Sequence, residues 1–369
     1  MHHLYLHVPF CVRRCSYCDF SIAVRKRIPA DDYIAAIRAE WESAGPIGPL
    51  ETIYLGGGTP SLLPSDALAA LLRYVVDHTS PPYAVEVTLE ANPEDVTPDA
   101  ATAWCRAGVN RVSLGAQSFD DSVLRWMHRS HDAGRIGAAV ETLRRAGIDN
   151  VSLDLIFALP RELGRDWSRD LDLALALEPA HLSLYGLTVE PRTPLARWVS
   201  RGATTATDDE RYAEEYLLAH ERLSGAGYAF YEVSNAARAG RRSRHNSAYW
   251  SGRAYLGLGP AAHSYDGRTR RWNLAAWEAY HRALAAGRSP VESEETLSDE
   301  QRELERLYLG LRTAAGVPST ILHQSTEVLR SMLVRGWVLV EGNTVRCTPE
   351  GWLRLDALVG ALTGSVATS

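Results

Sequence analysis

The most informative stretch of the chain reads His7-Val8-Pro9-Phe10-Cys11-Val12-Arg13-Arg14-Cys15-Ser16-Tyr17-Cys18-Asp19-Phe20, directly after a short apolar run. Its CxxxCxxC spacing puts three thiolates on one tight loop, too close together to be three independent sites. Three soft sulfur ligands suit a cubane iron–sulfur cluster, and a [4Fe–4S] cluster takes four ligands. A cluster held by Cys11, Cys15 and Cys18 would therefore keep one iron open, and an open iron can bind a substrate.

A zinc site and a disulfide framework are the alternative interpretations of these cysteines. Three cysteines and one histidine can close a zinc tetrahedron, and His2, His3 and His7 lie nearby. Zinc sites more often pair two CxxC motifs across a long spacer, and the sequence has no second pair. The total of five cysteines is odd and no apolar export segment precedes them, which disfavours disulfides. Cys105 and Cys347 are predicted to be buried apolar fillers.

The composition is that of a globular protein without a membrane span. Hydrophobic residues make up 46% and charged residues 23% of the 369 positions. No apolar run approaches the roughly 20 residues that cross a bilayer. The net charge of −6 argues against a general nucleic-acid binder. We therefore expect a cytoplasmic protein, free or peripheral at the inner face of the membrane, with no nucleic-acid partner.

Strand-like runs alternate with helix-period segments through the first half of the chain. The six runs are His3–Val8, Thr52–Leu55, Val85–Leu89, Arg111–Leu114, Val151–Ile156 and His181–Tyr185. The helical segments include Asp31–Ala44, Ser65–Asp77, Ala133–Ala146 and Trp167–Leu177. Such alternation implies right-handed crossovers and a parallel sheet. The predicted fold class is therefore α/β, with a partial (β/α)6 TIM-like barrel over residues 1–200.

Polar residues follow the predicted strands at the end where such sheets bind ligands. The first strand leads into the cysteine loop, and the second into Gly56-Gly57-Gly58-Thr59-Pro60. Glu90, Gln117 and Asp154 lie at the ends of the next three strands, and Thr188 follows the sixth. Glycines let the backbone approach a ligand, and a carboxylate can accept hydrogen bonds from ribose hydroxyls. Each residue alone is ambiguous, but together they predict one ligand site along this edge.

These motifs together resemble the radical S-adenosylmethionine (SAM) superfamily and, within it, the family of oxygen-independent coproporphyrinogen III oxidases. The segments that carry the resemblance are HVPFCxxxCxxCDF, LGGGTPS, LEANPE, RVSLGAQSF, VSLDLIFALP and YGLTVEPRTPL, and it covers nearly the whole chain. The resemblance implies a [4Fe–4S] cluster on Cys11, Cys15 and Cys18 whose open iron chelates SAM. It also implies a SAM pocket formed by Tyr5, Tyr17, Gly57, Gly58, Thr59, Glu90, Gln117, Arg129, Asp154, Thr188 and His263.

Further features resemble the HemW-type branch of this family, the haem chaperones. The oxidases proper extend their motif to CxxxCxxCxC, but the fourth position is here Phe20, and the chain lacks their long extension before Cys11. His245-Asn246-Ser247-Ala248-Tyr249-Trp250 matches the HNxxYW motif of the branch. The resemblance therefore implies His245 as a ligand of haem b iron, with Tyr249 and Trp250 against the porphyrin. Without the resemblance, His245 is better interpreted as a structural residue.

Two functions are consistent with these residues. The first is a haem chaperone that transfers haem to respiratory membrane cytochrome subunits. The alternative is a radical SAM enzyme that decarboxylates coproporphyrinogen III to protoporphyrinogen IX; a methyltransferase or haem-degrading relative also stays open. Phe20 and HNSAYW favour the chaperone, and whether the chain is an enzyme is left undecided. The family implies an electron donor such as flavodoxin or ferredoxin, and a homodimer that depends on ligand.

The remaining chain is predicted to form two further parts. Residues 201–295 form a post-barrel segment with a long amphipathic helix over 207–227, the HNSAYW motif, and a basic run suited to haem propionates or an anionic membrane, namely Arg238, Arg241, Arg242 and Arg244. Residues 296–369 combine an apolar-striped helix, a hairpin over 337–347, and a final helix that Thr348-Pro349 opens. We expect this winged-helix-like domain to be a lid or docking domain, because it lacks a dense basic face.

Overall fold

The computed structural model describes residues 1–45, 47–79 and 85–363, with the backbone alone at 323–326. In chain order its strands are β1 (His3–Val8), β2 (Phe10–Cys11), β3 (Ala23–Val24), β4 (Thr52–Gly57), β5 (Glu86–Ala91), β6 (Arg111–Gln117), β7 (Asn150–Phe157), β8 (His181–Gly186), β9 (Ala229–Glu232), β10 (Asn235–Ala237), β11 (Leu256–Leu258), β12 (His263–Tyr265), β13 (Thr269–Asn273), β14 (Val291–Thr296), β15 (Val317–Pro318), β16 (Val338–Glu341) and β17 (Thr344–Cys347).

The helices connect these strands and cover the sheet. In chain order they are α1 (Ala30–Ala44), α2 (Ser65–Thr79), α3 (Pro98–Arg106), α4 (Asp121–Trp126), α5 (Ala133–Arg145), α6 (Trp167–Ala176), α7 (Pro194–Ser200), α8 (Asp209–Gly225), α9 (Arg244–Trp250), α10 (Trp277–Ala285), α11 (Asp299–Arg312), α12 (Thr326–Val334), α13 (Pro349–Trp352) and α14 (Leu355–Thr363). Short 3₁₀ turns occupy Pro60–Leu62, Pro93–Asp95, Arg161–Leu163 and Ser319–Ser325.

The main sheet of the described residues has nine strands in the order β11-β1-β4-β5-β6-β7-β8-β10-β9. The six central strands, β1 and β4 to β8, run parallel to one another, which confirms the predicted α/β fold. The edge strands come from the segment predicted to follow the barrel. β11 pairs in parallel with β1, and β10 and β9 extend the far edge in antiparallel fashion. Residues beyond 200 therefore complete the sheet at both edges.

Alternation along β1 separates the core from the site. Leu4, Leu6 and Val8 are fully buried in the main hydrophobic core. Because successive side chains of a strand point to opposite faces, Tyr5 and His7 lie on the other side, where they line a cavity. The strand thus supplies packing energy with one face and site residues with the other.

A buried ion-pair network supports the carboxyl ends of the central strands. The Arg165 guanidinium donates to Glu215 Oε2 at 2.6 Å and lies 3.6 Å from Asp170 Oδ2. Asp170 accepts from Ser118 Oγ at 2.7 Å and Glu215 from the Ala158 amide at 2.6 Å. Ser118 directly follows β6, and Ala158 directly follows β7. These contacts, which we call the Arg165 network, therefore join the ends of β6 and β7 to α6 and α8.

The C-terminal part forms a small antiparallel sheet, ordered β15-β17-β16, packed with helices. The predicted hairpin is present as β16 and β17, and Thr348 caps α13 by accepting from the Gly351 amide at 3.1 Å. The predicted helix start at Thr348-Pro349 is present, but this helix ends at Trp352 and a separate final helix, α14, begins at Leu355. α13 packs closely against the backbone of Trp337, and Gly351 permits this contact because a Cβ there would lie 1.9 Å from the Trp337 carbonyl oxygen. No helix in 1–45, 47–79 or 85–363 is long and apolar enough to span a bilayer.

Candidate functional site

The three cysteines of the CxxxCxxC motif lie on and directly after β2. Cys11 Sγ lies 3.3 Å from Thr59 Oγ1, and Cys15 Sγ accepts from Arg129 Nη1 at 3.5 Å. Burial, reinforced by the charges of Cys15 and Cys11, raises the pKa of the Cys18 thiol to about 11. Metal binding here must therefore displace a proton.

The donor set of this loop fits an iron–sulfur cluster. Cys11, Cys15 and Cys18 are all free cysteines, and hydrogen bonds reach two of their sulfur atoms, a contact by which proteins tune such clusters. Within the described ranges, no three or more His, Cys, Asp or Glu side chains converge on a single metal-ion position. The fit to a cluster therefore rests on the sulfur chemistry of these three residues and on their position on one loop.

Backbone contacts fix the cysteine loop to the barrel. The Ser16 amide donates to the Met127 carbonyl at 3.1 Å, and the Leu195 amide donates to the Ser16 carbonyl at 2.8 Å. Tyr17 packs against a small apolar cluster that includes Met127. Arg13 Nη2 donates to the Arg129 carbonyl at 2.7 Å. The loop is therefore tied to the helices that follow β6 and β8.

Glu90 sits at the end of β5 beside the glycine motif. It accepts from Tyr54 Oη at 2.7 Å and from the Gly57 amide at 3.0 Å. Burial raises the pKa of its carboxyl to about 7. Gly57 has φ +113°, and a Cβ there would meet the His7 ring at 2.6 Å, so this position requires glycine. The glycine motif therefore lies directly beside Glu90.

Arg129 connects the cysteine loop to the ends of the next strands. Besides Cys15, its guanidinium donates to Asn92 Oδ1 at 2.5 Å and to the Gly115 carbonyl at 3.0 Å. Gln117 follows with φ 66°, a left-handed conformation that is uncommon for a residue other than glycine and often marks a functional position. Asn92 was not among the predicted site residues, although it lies in the quoted LEANPE motif.

Asp154 and Thr188 complete the predicted edge in different ways. Asp154 accepts from Ser113 Oγ at 3.0 Å and from Ser152 Oγ at 3.3 Å. Burial raises the pKa of this carboxyl, while the serine hydroxyls oppose the shift. Thr188 is exposed, and its hydroxyl donates to the Gly186 carbonyl at 3.5 Å. Asp154 is thus held by strand residues, whereas Thr188 stands on an open loop.

The HNSAYW motif forms the short helix α9, which buries its histidine. His245 is 1% exposed, its Nδ1 lies 2.7 Å from Thr52 Oγ1 and its Nε2 lies 2.9 Å from Tyr249 Oη. The ring also stacks on Tyr54, with centroids 5.0 Å apart. Burial lowers the pKa of His245 to about 3, so the ring is neutral. Iron could reach Nε2 only after Tyr249 moved away, so the predicted haem ligation remains a prediction.

A cavity of about 790 Å³ lies between the strand ends, α9 and the small sheet β12–β14. This volume is within the range of about 300–1,000 Å³ typical of small-molecule sites. Its walls are largely aromatic and include Tyr5, Phe20, Tyr249, Trp250, Tyr255, His263, Tyr265 and Trp272. Gly57 and Glu90 also line it, so four of the predicted SAM residues face this cavity together with the HNSAYW motif. The other predicted SAM residues do not line it, namely Tyr17, Gly58, Thr59, Gln117, Arg129, Asp154 and Thr188.

Several cavity residues were missed from the sequence. Arg253 and Arg270 line the cavity, whereas Arg238, Arg241, Arg242 and Arg244 of the predicted basic run do not. Trp272 lies opposite His263 because β12 and β13 pair in that register. Trp272 is not adjacent to a recognised motif, so only strand pairing could have revealed it as a cavity residue.

Helix α11 of the C-terminal part also contributes to the cavity wall through Glu305 and Leu309. Its last residue, Arg312, lies 4.2 Å above the Trp250 ring and pairs with Glu232 at 3.3 Å. The cavity wall is thus shared between the barrel and α11, and the lid or docking role of the C-terminal part stays a prediction.

A second groove, of about 780 Å³, lies between α2 and α3. It is lined by residues such as Asp66, Arg73, Asp99 and Arg106, and by none of the predicted site residues. Its lining mixes these charged side chains with apolar ones such as Ala69, Leu72 and Val76, as on an ordinary helix surface. The aromatic cavity, where Gly57 and Glu90 face Tyr249 and Trp250, is therefore the candidate functional site.

Comparisons with known proteins agree with this geometry. The family model of the Radical SAM superfamily matches residues 5–174. A Heme chaperone HemW of Mycobacterium tuberculosis is 40% identical, over 98% of this chain and 94% of the relative. A Heme chaperone HemW of Bacillus subtilis is 32% identical over 98% and 99%, respectively. The Bos taurus protein named Radical S-adenosyl methionine domain-containing protein 1, mitochondrial, is 34% identical over 97% and 86%.

A solved structure shares the same fold. The coproporphyrinogen III oxidase HemN of Escherichia coli, described as a radical SAM enzyme, superimposes with a TM-score of 0.84 over 99% of this chain and 91% of that structure. The two sequences are 20% identical, so this likeness speaks for the fold alone. The assignment to a family within the superfamily rests on the HemW proteins, which are 40% and 32% identical over 98% of this chain. The chain therefore belongs to the HemW family of the radical SAM superfamily.

Proposed function

We propose that this chain is a haem chaperone, which binds haem in the aromatic cavity and transfers it to an apoprotein. The observation that carries the proposal is that Tyr249 and Trp250 of HNSAYW form a wall of the same cavity that Tyr5, Gly57 and Glu90 line from the strand ends. Flat aromatic faces suit a porphyrin ring. Two relatives that are 40% and 32% identical bear the name Heme chaperone HemW, which supports the same proposal.

We further propose that Cys11, Cys15 and Cys18 hold a [4Fe–4S] cluster and that SAM lies between this loop and Glu90. When bound, the cluster supplies an open iron for SAM and an electron for its cleavage. Glu90 would accept hydrogen bonds from the ribose, and the Gly57–Thr59 backbone would lie along the methionine part. Arg129 positions the loop, because its guanidinium bridges Cys15 and the end of β5.

The cavity supplies charge as well as aromatic faces. Arg253 pairs with Glu51 at 2.7 Å, and Arg270 pairs with Glu305. Both guanidinium groups line the cavity, and guanidinium is well suited to carboxylates such as haem propionates. Their present partners are carboxylates of the chain itself, so a bound propionate would exchange one carboxylate partner for another.

The proposed function is tested by titrating the anaerobically reconstituted full chain with haemin. We expect a saturable shift of the Soret band and release of the haem to an added apocytochrome. A spectrum identical to that of free haemin would contradict the chaperone. The same preparation incubated with coproporphyrinogen III, SAM and a reductant should release no carbon dioxide; clear decarboxylation would instead support the oxidase alternative.

Replacing Phe20 with serine should weaken haem binding. Phe20 is 60% exposed and lines the cavity, so its ring is available to a porphyrin. Loss of an aromatic pair worth about 0.5–1.5 kcal/mol predicts a Kd roughly two- to tenfold higher in the haemin titration. Val12→Ser is the matched control, because Val12 is 51% exposed on the same loop and does not line the cavity. Equal Kd values for the two variants would refute the stacking role of Phe20.

SAM affinity should rise with pH through the neutral range. In this proposal the Glu90 carboxylate accepts hydrogen bonds from the ribose hydroxyls, which requires its ionised form. Because the pKa of Glu90 is about 7, a large fraction of the carboxyl is protonated below neutral pH. SAM binding would then release a proton, so Kd should increase as pH falls, by up to about tenfold per pH unit below 7. Calorimetry across this range measures the slope. Glu90→Gln should bind more weakly with a flat profile; a flat profile in the unmodified chain would contradict the assignment.

The partners of the cycle follow from the same proposal. We propose membrane cytochrome subunits as haem acceptors, flavodoxin or ferredoxin as the electron donor, and a homodimer that depends on ligand. Arg241 and Arg242 are exposed outside the cavity, which supports a role at an anionic membrane surface on the cytoplasmic side rather than at the propionates. Co-sedimentation with anionic vesicles tests this surface, and Arg241→Ala/Arg242→Ala should reduce the bound fraction.

A further inference from the structure

His7 and His263, which line the cavity, and His245, which lies behind Tyr249, differ in whether their ring nitrogens are available. His7 Nδ1 lies 3.0 Å from Tyr5 Oη, and its Nε2 lies 3.2 Å from the Ser21 carbonyl. His245 uses both nitrogens as well, with Thr52 and Tyr249. A nitrogen that already holds a hydrogen bond must give it up before it can bind a metal ion.

His263 is the contrasting case. It lies on β12, is exposed, and lines the cavity. Its ring stacks on Trp272, with centroids 5.8 Å apart and ring planes 24° from parallel. Neither ring nitrogen makes a hydrogen bond to any residue that the structure describes. Partial burial, followed by the charge of Arg270, lowers the pKa of His263, which favours the neutral ring that binds metals.

The backbone holds His263 close to the strand ends. Gly257 of β11 pairs in register with Tyr5 of β1, a cavity residue. A Cβ on Gly257 would lie 2.0 Å from the His263 carbonyl oxygen, so glycine is needed for β12 to pack this closely. The Gly257 amide also donates to Ser264 Oγ at 2.9 Å. His263 therefore stands on a fixed strand.

The surroundings of His263 suit an iron porphyrin. Tyr255, Tyr265 and Trp272 supply aromatic faces beside it, and Arg270 supplies a cation for a carboxylate. A neutral imidazole is a common ligand of haem iron. The family resemblance implies that His263 belongs to the SAM pocket. Its ring nitrogens without hydrogen bonds and its aromatic neighbours instead favour contact with a porphyrin that carries a metal ion.

We propose that a ring nitrogen of His263 is the axial ligand of haem iron in this chain, with Trp272 positioning the imidazole. The inference rests on the proposed haem-binding function and names the residue that makes the iron bond. In this arrangement His245 acts indirectly, because its hydrogen bond positions the Tyr249 hydroxyl at the cavity wall.

The experiment compares haemin complexes of the unmodified full chain, His263→Ala and His281→Ala, all with the cluster reconstituted so that its cysteines are occupied. His281 is the matched control, because it also stacks on a tryptophan, Trp277, with centroids 5.1 Å apart, but does not line the cavity. The readouts are the haemin Kd and the iron–histidine stretching band of the ferrous complex in resonance Raman spectra. Circular dichroism checks that each variant is folded.

We expect His263→Ala to lose the iron–histidine band and to raise Kd at least tenfold, with imidazole in the buffer restoring much of the binding. His281→Ala should match the unmodified chain. An unchanged band and Kd in His263→Ala would overturn the inference while leaving the haem chaperone intact. A chain that binds no haemin in its unmodified form would instead remove the proposed function itself.

Discussion

Replacing Cys15 with serine should abolish the iron–sulfur absorbance of the anaerobically reconstituted chain. A [4Fe–4S] cluster with three protein ligands depends on every one of them, and a serine oxygen is a hard, poor substitute for a thiolate. Cys15 is also the cysteine whose sulfur accepts from Arg129. Iron and sulfide should fall to near zero per chain, and SAM binding should fail with them. Chemical analysis of iron and sulfide measures the loss.

Cys105→Ser is the control for this prediction. Cys105 lies on α3, away from the cysteine loop, and its sulfur is 3.5 Å from the position a Cβ on Gly147 would take. Its substitution should leave iron and sulfide at the level of the unmodified chain. Persistence of the brown chromophore in Cys15→Ser would show that the ligand assignment is mistaken. Stoichiometric zinc without sulfide in the unmodified chain would favour the zinc interpretation instead.

Replacing Arg165 with methionine should lower the free energy of unfolding far more than replacing an exposed arginine does. The side chain of Arg165 is fully buried. Its removal leaves the Asp170 carboxylate without its cation and leaves Glu215 with Arg211 alone, which pairs with it at 2.8 Å. Breaking a buried ion pair from one side costs about 3–5 kcal/mol, because the remaining charge is desolvated and unpaired. We expect the free energy of unfolding, measured by denaturant titration, to fall by this amount.

Arg145→Met is the matched control. Arg145 pairs with Glu141 on the exposed face of α5, where side-chain exposure is 75% and 63%. Exposed pairs of this kind contribute roughly 0–1 kcal/mol, so the control should unfold almost like the parent chain. A similar small change in Arg165→Met would mean that the Arg165 network contributes little to the strand ends.

The barrel could be predicted because its signals are local. β1, β4 and β8 begin where the apolar runs begin, and each glycine or polar cluster follows its strand as a parallel sheet requires. The cysteine spacing needs no tertiary information at all. The residues beyond 200 were harder, because β11 is only three residues long and joins the sheet through pairing with a strand at the other end of the chain.

The aromatic cavity shows the same division. Tyr249 and Trp250 could be named because they belong to a motif, whereas Trp272 becomes a site residue only through its register with His263. The environment of His245 was also beyond the sequence. Its hydrogen bonds to Thr52 and Tyr249 depend on how α9 packs against β4, and no spacing rule reports such packing.

The contact of Arg312 with Trp250 and Glu232 has a consequence for handling the protein in the laboratory. A porphyrin bound against a wall that includes α11 would hold this helix, and the part of the chain packed on it, against the barrel. Binding at a hundred times Kd stabilises a fold by about 2.7 kcal/mol, so cargo should slow protease nicking between residues 296 and 363. The loading state of a preparation could then be read from a gel after brief trypsin digestion.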